Sequence, residues 1–98
     1  MKSVLKVRQN PVLLALGANL ESRAGSPGET IVSATDDLAA FGINVAARSR
    51  LYHTPCFPPG AGPDFVNAAL LCHSERTPDQ ILAALGDIET RYGRQPAA

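Results

Sequence analysis

Asn67 sits inside an apolar, strand-like run, Phe65-Val66-Asn67-Ala68-Ala69-Leu70-Leu71, two residues after an aromatic ring. Along a strand, residues i and i+2 point the same way, so Phe65 and Asn67 share a face. A side-chain amide offers two donors and an acceptor, and leaving them unmet among apolar neighbours costs about 1–3 kcal/mol. A ring beside the amide can stack on a flat partner. The pair therefore suits a planar, polar, hydrogen-bonding small molecule. Directly upstream runs Thr54-Pro55-Cys56-Phe57-Pro58-Pro59, then on to Pro63, a stretch stiffened by proline. The same amide reads equally well as a tie that holds this loop down, and the residues alone leave both readings open.

Other groups carry less. His53, Cys56, Cys72 and His73 are the soft metal ligands. Cys72 and His73 are adjacent on a strand, so they point to opposite faces and cannot share one ion. A buried cysteine and ordinary strand histidines are the favoured reading, and no metal site is expected. Gly17-Ala18-Asn19-Leu20 follows a strand, but one glycine reads first as a turn; no longer phosphate-loop pattern is present. No serine or cysteine sits in a Gly-x-Ser-x-Gly elbow. Asp36 and Asp37 are helix neighbours that splay by about 100°, which fits a solvated surface better than a carboxylate pair. Glu89 borders the apolar face of a helix and reads by itself as a surface charge. Arg91 and Arg94 make a basic helix end, where cations are favoured anyway. No residue is assigned a catalytic role.

The elements that must position Phe65 and Asn67 follow from periodicity. Residues 1–10 read as a loose arm, residues 11–94 as the domain and 95–98 as a tail. Pro11 to Leu16 is apolar on both strand faces, which predicts a central strand buried on two sides. A helix is predicted to start near Pro27–Glu29, with Ile31, Ala34, Leu38 and Phe41 as its stripe and Gly42 as its left-handed stop. From Ile43 the chain alternates, with Ile43, Val45, Ala47 and Leu51 on one face and Asn44, Arg48, Arg50 and Tyr52 on the other, until Pro55 ends the strand. Asp64 to Ser74 reads as a third strand. Thr77, Pro78 and Asp79 open a second helix in the manner of an N-cap, a first-turn proline and an acid at the positive end. Its stripe is Ile81, Leu85, Ile88 and Tyr92, and Gly93 stops it. The order β-α-β-β-α predicts an α+β, ferredoxin-like split βαβ sandwich without its closing strand.

Bulk properties narrow the partners. Nine Lys+Arg balance nine Asp+Glu in 98 residues. A zero balance lacks the basic excess that broad binding to nucleic acid or anionic lipid requires, so neither is expected as a partner. No apolar run approaches the ~20 residues that span a bilayer. The N-terminus has no secretory apolar core. Two cysteines do not make a disulfide framework, so a reduced, cytoplasmic setting is the expectation.

Ala15-Leu16-Gly17-Ala18-Asn19-Leu20, Ser49-Arg50-Leu51-Tyr52-His53-Thr54-Pro55-Cys56-Phe57, Gly62-Pro63-Asp64-Phe65-Val66-Asn67-Ala68-Ala69-Leu70 and Asp87-Ile88-Glu89-Thr90-Arg91-Tyr92-Gly93-Arg94 together resemble the 6-hydroxymethyl-7,8-dihydropterin pyrophosphokinase family of folate synthesis, in order and spacing. The likeness covers about Val12 to Arg94. It implies transfer of the pyrophosphoryl group of ATP to the pterin hydroxymethyl oxygen, releasing AMP, with Mg2+ bridging the phosphates. It implies that Asn67 hydrogen-bonds the pterin amide edge and Phe65 stacks on the ring. Thr54, Pro55 and Phe57 would form the loop wall, with Cys56 where relatives carry proline. Gly17 and Asn19 would lie at the floor, Glu89 would reach the nucleotide, and Arg94 would lie on its phosphate side.

Relatives continue into a strand bearing an Asp-x-Asp pair that holds the magnesium ions; these 98 residues contain no Asp-x-Asp. Impaired catalysis by this chain alone is therefore expected, as is self-association through an unpaired first strand. Two other readings stand beside the enzyme: a non-catalytic pterin- or nucleotide-binding module, and a small interaction domain.

Overall fold

One ten-residue strand organises the molecule. The computed structural model describes residues 10–93. In it β4 (Phe65–Ser74) alternates buried and partly open positions. Val66, Ala68, Leu70, Cys72 and Ser74 are buried, and Phe65, Asn67, Ala69, Leu71 and His73 take the other face. On one side β4 pairs antiparallel with β1 (Asn10–Ala18). On its other side it pairs antiparallel with β2 (Ile43–Arg48) and then β3 (Tyr52–Thr54), which follow each other along the same edge.

The helices close one face. α1 (Pro27–Asp37) is opened by Ser26, whose hydroxyl accepts from the Glu29 N–H while the Glu29 carboxylate accepts from the Ser26 N–H. Those hydrogen bonds hold the Glu29 carboxyl below its usual range. A 3-10 turn (Leu38–Phe41) follows and stops at Gly42, whose φ of 79° is left-handed. α2 (Pro78–Arg91) repeats the opening device with Thr77 and Gln80. Ala34 and Leu38 meet Ile81, Ala84 and Ile88 over Leu14, Leu70 and Cys72 in one core. Leu70 is fully buried, and burying a side chain of that kind contributes about 1.5–3 kcal/mol. Burial also pushes the Cys72 thiol pKa up, as expected for an inert core cysteine. The result is the expected α+β, ferredoxin-like arrangement, with both helix starts and the third strand where the sequence places them. No helix of the described residues is long and apolar enough to cross a membrane.

Three expectations are corrected. β1 is not buried on two sides, although among the described residues it pairs only with β4, as an unpaired first strand would. Leu14 is buried but Leu13 is 76% exposed, because the helices cover a single face. The second strand is not one continuous alternation. The pairing register shifts between Val45 and Ala47, and a bulge of this kind turns the following residues over. Ala47 stands opposite Leu71 and Arg48 opposite Leu70, so each lies on the face expected for the other. Residues 49–51 then separate β2 from β3, and Ser49 bridges the gap by bonding both backbone groups of Ala69. Thirdly, Asp37 is not a merely solvated carboxylate. It accepts from the Tyr92 hydroxyl at 2.6 Å and pairs with Arg91 at 3.2 Å. Asn10, the first described residue, already lies in β1. The arm up to residue 9, Arg94 and the 95–98 tail lie outside the described residues.

The Asp37–Tyr92 bond ties the ends of the two helices. Donation to the carboxylate raises the Tyr92 pKa above its ordinary value. A raised pKa means the stabilisation is full below the ordinary tyrosine range and is lost as pH rises through the folded-state value. Tyr92→Phe is expected to cost about 1 kcal/mol in urea melts at neutral pH. The gap from wild type should shrink only in strongly alkaline solution; a gap of zero at neutral pH would contradict the tie.

Candidate functional site

Strand pairing brings four of the expected residues together on the face of the sheet away from the helices. Gly17 of β1 stands opposite Asn67 of β4, and Tyr52 of β3 stands opposite Asn67 from the other side. Thr54 stands opposite Phe65. Directly opposed residues of antiparallel strands point to the same face. Phe65 and Asn67 are both half-buried there, neither lost in the core nor on opposite sides of their strand.

The contacts are close. The Asn67 Nδ2 donates to Thr54 Oγ1 at 2.7 Å. A methyl group built on Gly17 would lie 2.8 Å from Asn67 Oδ1 and 3.6 Å from Phe65 Cδ1. The missing side chain at Gly17 leaves room for the amide oxygen, while the Phe65 ring would stay in ordinary contact even with a Cβ there. Asn19, just past β1, donates weakly to the Pro63 carbonyl at 3.4 Å. Its amide also lies beside Gly62, as does Cys56 Sγ, so the proline-rich loop returns over the end of β1.

Not every expected residue joins this group. Pro55 is exposed, and Phe57 is 88% exposed. Glu89 is exposed on α2, in the layer on the opposite face of the sheet from Asn67. Arg94 lies outside the described residues. Tyr52 is the residue that sequence reasoning placed on the solvated face without giving it a role; it is 43% exposed and flanks the amide. Its signal was available, since alternation back from Thr54 puts Tyr52 on the same face.

The group can present a ring face, an amide with one N–H and its oxygen uncommitted among the described residues, and a hydroxyl. Such groups can recognise a ligand but are not of a kind that reacts with one. For metal, the described residues contain no cluster of three or more His, Cys, Asp or Glu able to hold an ion.

The sequence of the 7,8-dihydro-6-hydroxymethylpterin-pyrophosphokinase (HPPK) family matches residues 13–98. The chain belongs to this family. It is also similar to the 2-amino-4-hydroxy-6-hydroxymethyldihydropteridine pyrophosphokinase of Methylorubrum extorquens, with 37% identity over 82 residues. That alignment covers 83% of the chain and 49% of the relative, so the chain spans about half the length of the curated relative it matches. Within the HPPK family match lie Gly17, Thr54, Phe65 and Asn67, the group that the strand register assembles.

The close approach at Gly17 has a measurable consequence. Gly17→Ala is expected to leave the fold within about 1 kcal/mol of wild type, because an amide tip can swing aside more cheaply than backbone. The Asn67 side-chain NH2 resonances should shift as the amide leaves Thr54. Unchanged Asn67 NH2 resonances in the alanine variant would contradict the crowding.

Proposed function

We propose that residues 11–94 form a pterin-binding unit of a pyrophosphokinase, in which Phe65 stacks on 6-hydroxymethyl-7,8-dihydropterin and Asn67 hydrogen-bonds its amide edge. The observation that carries this reading is the convergence of ring, amide and hydroxyl above Gly17 on the open face of the sheet. A flat bicyclic ring with donors and acceptors along one edge matches that set. Gly17 and Asn19 serve as the floor, and Thr54, Pro55 and Phe57 as the loop side, with the Phe57 ring free to meet the ligand. Glu89 and Arg94 are assigned to the nucleotide side.

The family reaction is the transfer of pyrophosphate from ATP to the pterin hydroxymethyl oxygen in folate biosynthesis. The oxygen forms a bond to the β-phosphorus, AMP leaves, and the hydroxyl proton is released. Such transfers depend mainly on positioning and neutralising charge, for which the family uses Mg2+. The residues present do not fit that pair of ions. The sequence has no Asp-x-Asp, and the described residues have no group of three or more His, Cys, Asp or Glu placed to hold an ion. The 98-residue chain by itself is therefore read as binding pterin while turning over slowly or not at all. That feature also favours the second reading, a non-catalytic pterin-binding module. A cytoplasmic setting agrees with two unpaired cysteines, Cys56 and Cys72.

Among the described residues one edge of β1 is unpaired, which supports self-association. Asn10–Ala18 carries no charge, and Pro11 near its start is its one edge-protecting residue. A second copy aligned antiparallel about Leu14 would keep Val12, Leu14 and Leu16 on the helix side of both sheets.

Isothermal titration with the dihydropterin is expected to show one site per chain, weakened at least tenfold by Phe65→Ala or Asn67→Ala; absence of heat and of any spectral change would overturn the pterin reading. Incubation with Mg-ATP and dihydropterin should release little AMP, and rapid AMP formation would overturn the assignment of impaired catalysis. Sedimentation should give a dimer or larger species. A clean monomer whose amides at residues 12–16 resist exchange would overturn the edge pairing.

A further inference from the structure

We propose that Thr54 is a positioning residue whose hydroxyl fixes the Asn67 amide in the orientation that a ligand reads; this rests on the pterin reading for its ligand but not for its geometry. The Asn67 Nδ2–H donates to Thr54 Oγ1 at 2.7 Å. Among the described residues this is the one hydrogen bond made by the Asn67 side chain. An unrestrained asparagine rotates about two bonds and presents its oxygen and nitrogen in either sense. Here the hydroxyl holds Nδ2, and Oδ1 takes the space above Gly17 that a Cβ at that position would crowd at 2.8 Å. One N–H and the carbonyl oxygen remain for a partner, an adjacent donor and acceptor that complement the C=O and N–H of a cyclic amide.

Thr54 is well built for this work. Its backbone is paired opposite Phe65, which places it diagonally from Asn67 on the same face. Pro55 follows it and confines its backbone to extended conformations. Its branched side chain has few χ1 choices. The hydroxyl is thus carried by a residue with little freedom, although the site is open to solvent. The resemblance gives Thr54 only a place in the loop wall; the geometry gives its hydroxyl a separate task, acting through Asn67. It also joins the two readings of Asn67 that the sequence leaves open. The amide does tie the loop's first residues to β4, and the tie itself orients the amide.

The test compares Thr54→Val with Thr54→Ser in the full chain. Thr54→Val keeps the shape and removes the hydroxyl, while Thr54→Ser keeps the hydroxyl and removes the methyl. The first readout is water exchange of the Asn67 side-chain NH2 protons, followed by NMR without ligand. Thr54→Val is expected to speed that exchange severalfold, and Thr54→Ser to leave it near wild type. The second readout is affinity for 6-hydroxymethyl-7,8-dihydropterin. Thr54→Val is expected to weaken it about three- to tenfold, the usual worth of one hydrogen bond, and Thr54→Ser to restore it. Equal exchange in all three proteins would overturn the proposal. So would equal weakening by both variants together with a lowered melting temperature, since that is a packing effect. If the wild type fails to bind pterin, the proposed function falls, and the exchange comparison still decides whether Thr54 holds the amide.

Discussion

The two-residue period of β4 is the constraint on which everything else depends. Every second side chain of that strand, from Val66 to Ser74, is buried against the helices. The remaining ones are left for the other face by the same geometry. Phe65 and Asn67 belong to that second set. Shifting the strand by one residue would drive the amide into the core and turn Leu70 and Cys72 outward. The apolar contacts that hold the helices to the sheet therefore also hold Phe65 and Asn67 in place. Stability and the proposed recognition lie on opposite faces of one strand.

Neighbouring strands then decide what the open face can do. β1 contributes an absence, because Gly17 leaves room for the amide oxygen. β3 contributes the Thr54 hydroxyl and the flanking Tyr52. The interruption between β2 and β3 matters here, since it restarts the alternation so that Tyr52 and Thr54 face the site. The proline-rich loop beyond Thr54 returns to the end of β1 through Asn19 and Pro63, and Phe57 on it is exposed. The proposed site is consequently built on strands, with the loop as its border.

Much of this was legible in the residues. Capping signals at Thr77-Pro78 and the stripe from Ile31 to Phe41 placed both helices, because those signals are local and chemically specific. The shared face of Phe65 and Asn67 followed from strand period alone. What escaped was non-local. An apolar run such as Pro11–Leu16 reads as two-sided burial whether or not a second layer exists to cover it, and Leu13 is exposed because the described residues supply no such layer. The bulge after Val45 carries no glycine or proline to announce it. Asp37 looked solvated because its partners, Tyr92 and Arg91, lie more than fifty residues away. The Thr54–Asn67 bond was half visible, as one of two uses for the amide, but its partner could be named only once the register of β3 was known.

The central claim is that the open face of the sheet above Gly17 takes a flat pterin ring. The most direct measurement is of intermolecular NOEs between a saturating pterin ligand and the isotope-labelled chain. The expected result is contact from the ligand's ring-carbon protons to the Phe65 ring, the Thr54 methyl group and the Gly17 α-protons, with none to the Ile81 or Ile88 side chains beneath the sheet. Contacts confined to the helix side, or to the far end of the sheet at His73 and Asn44, would contradict it.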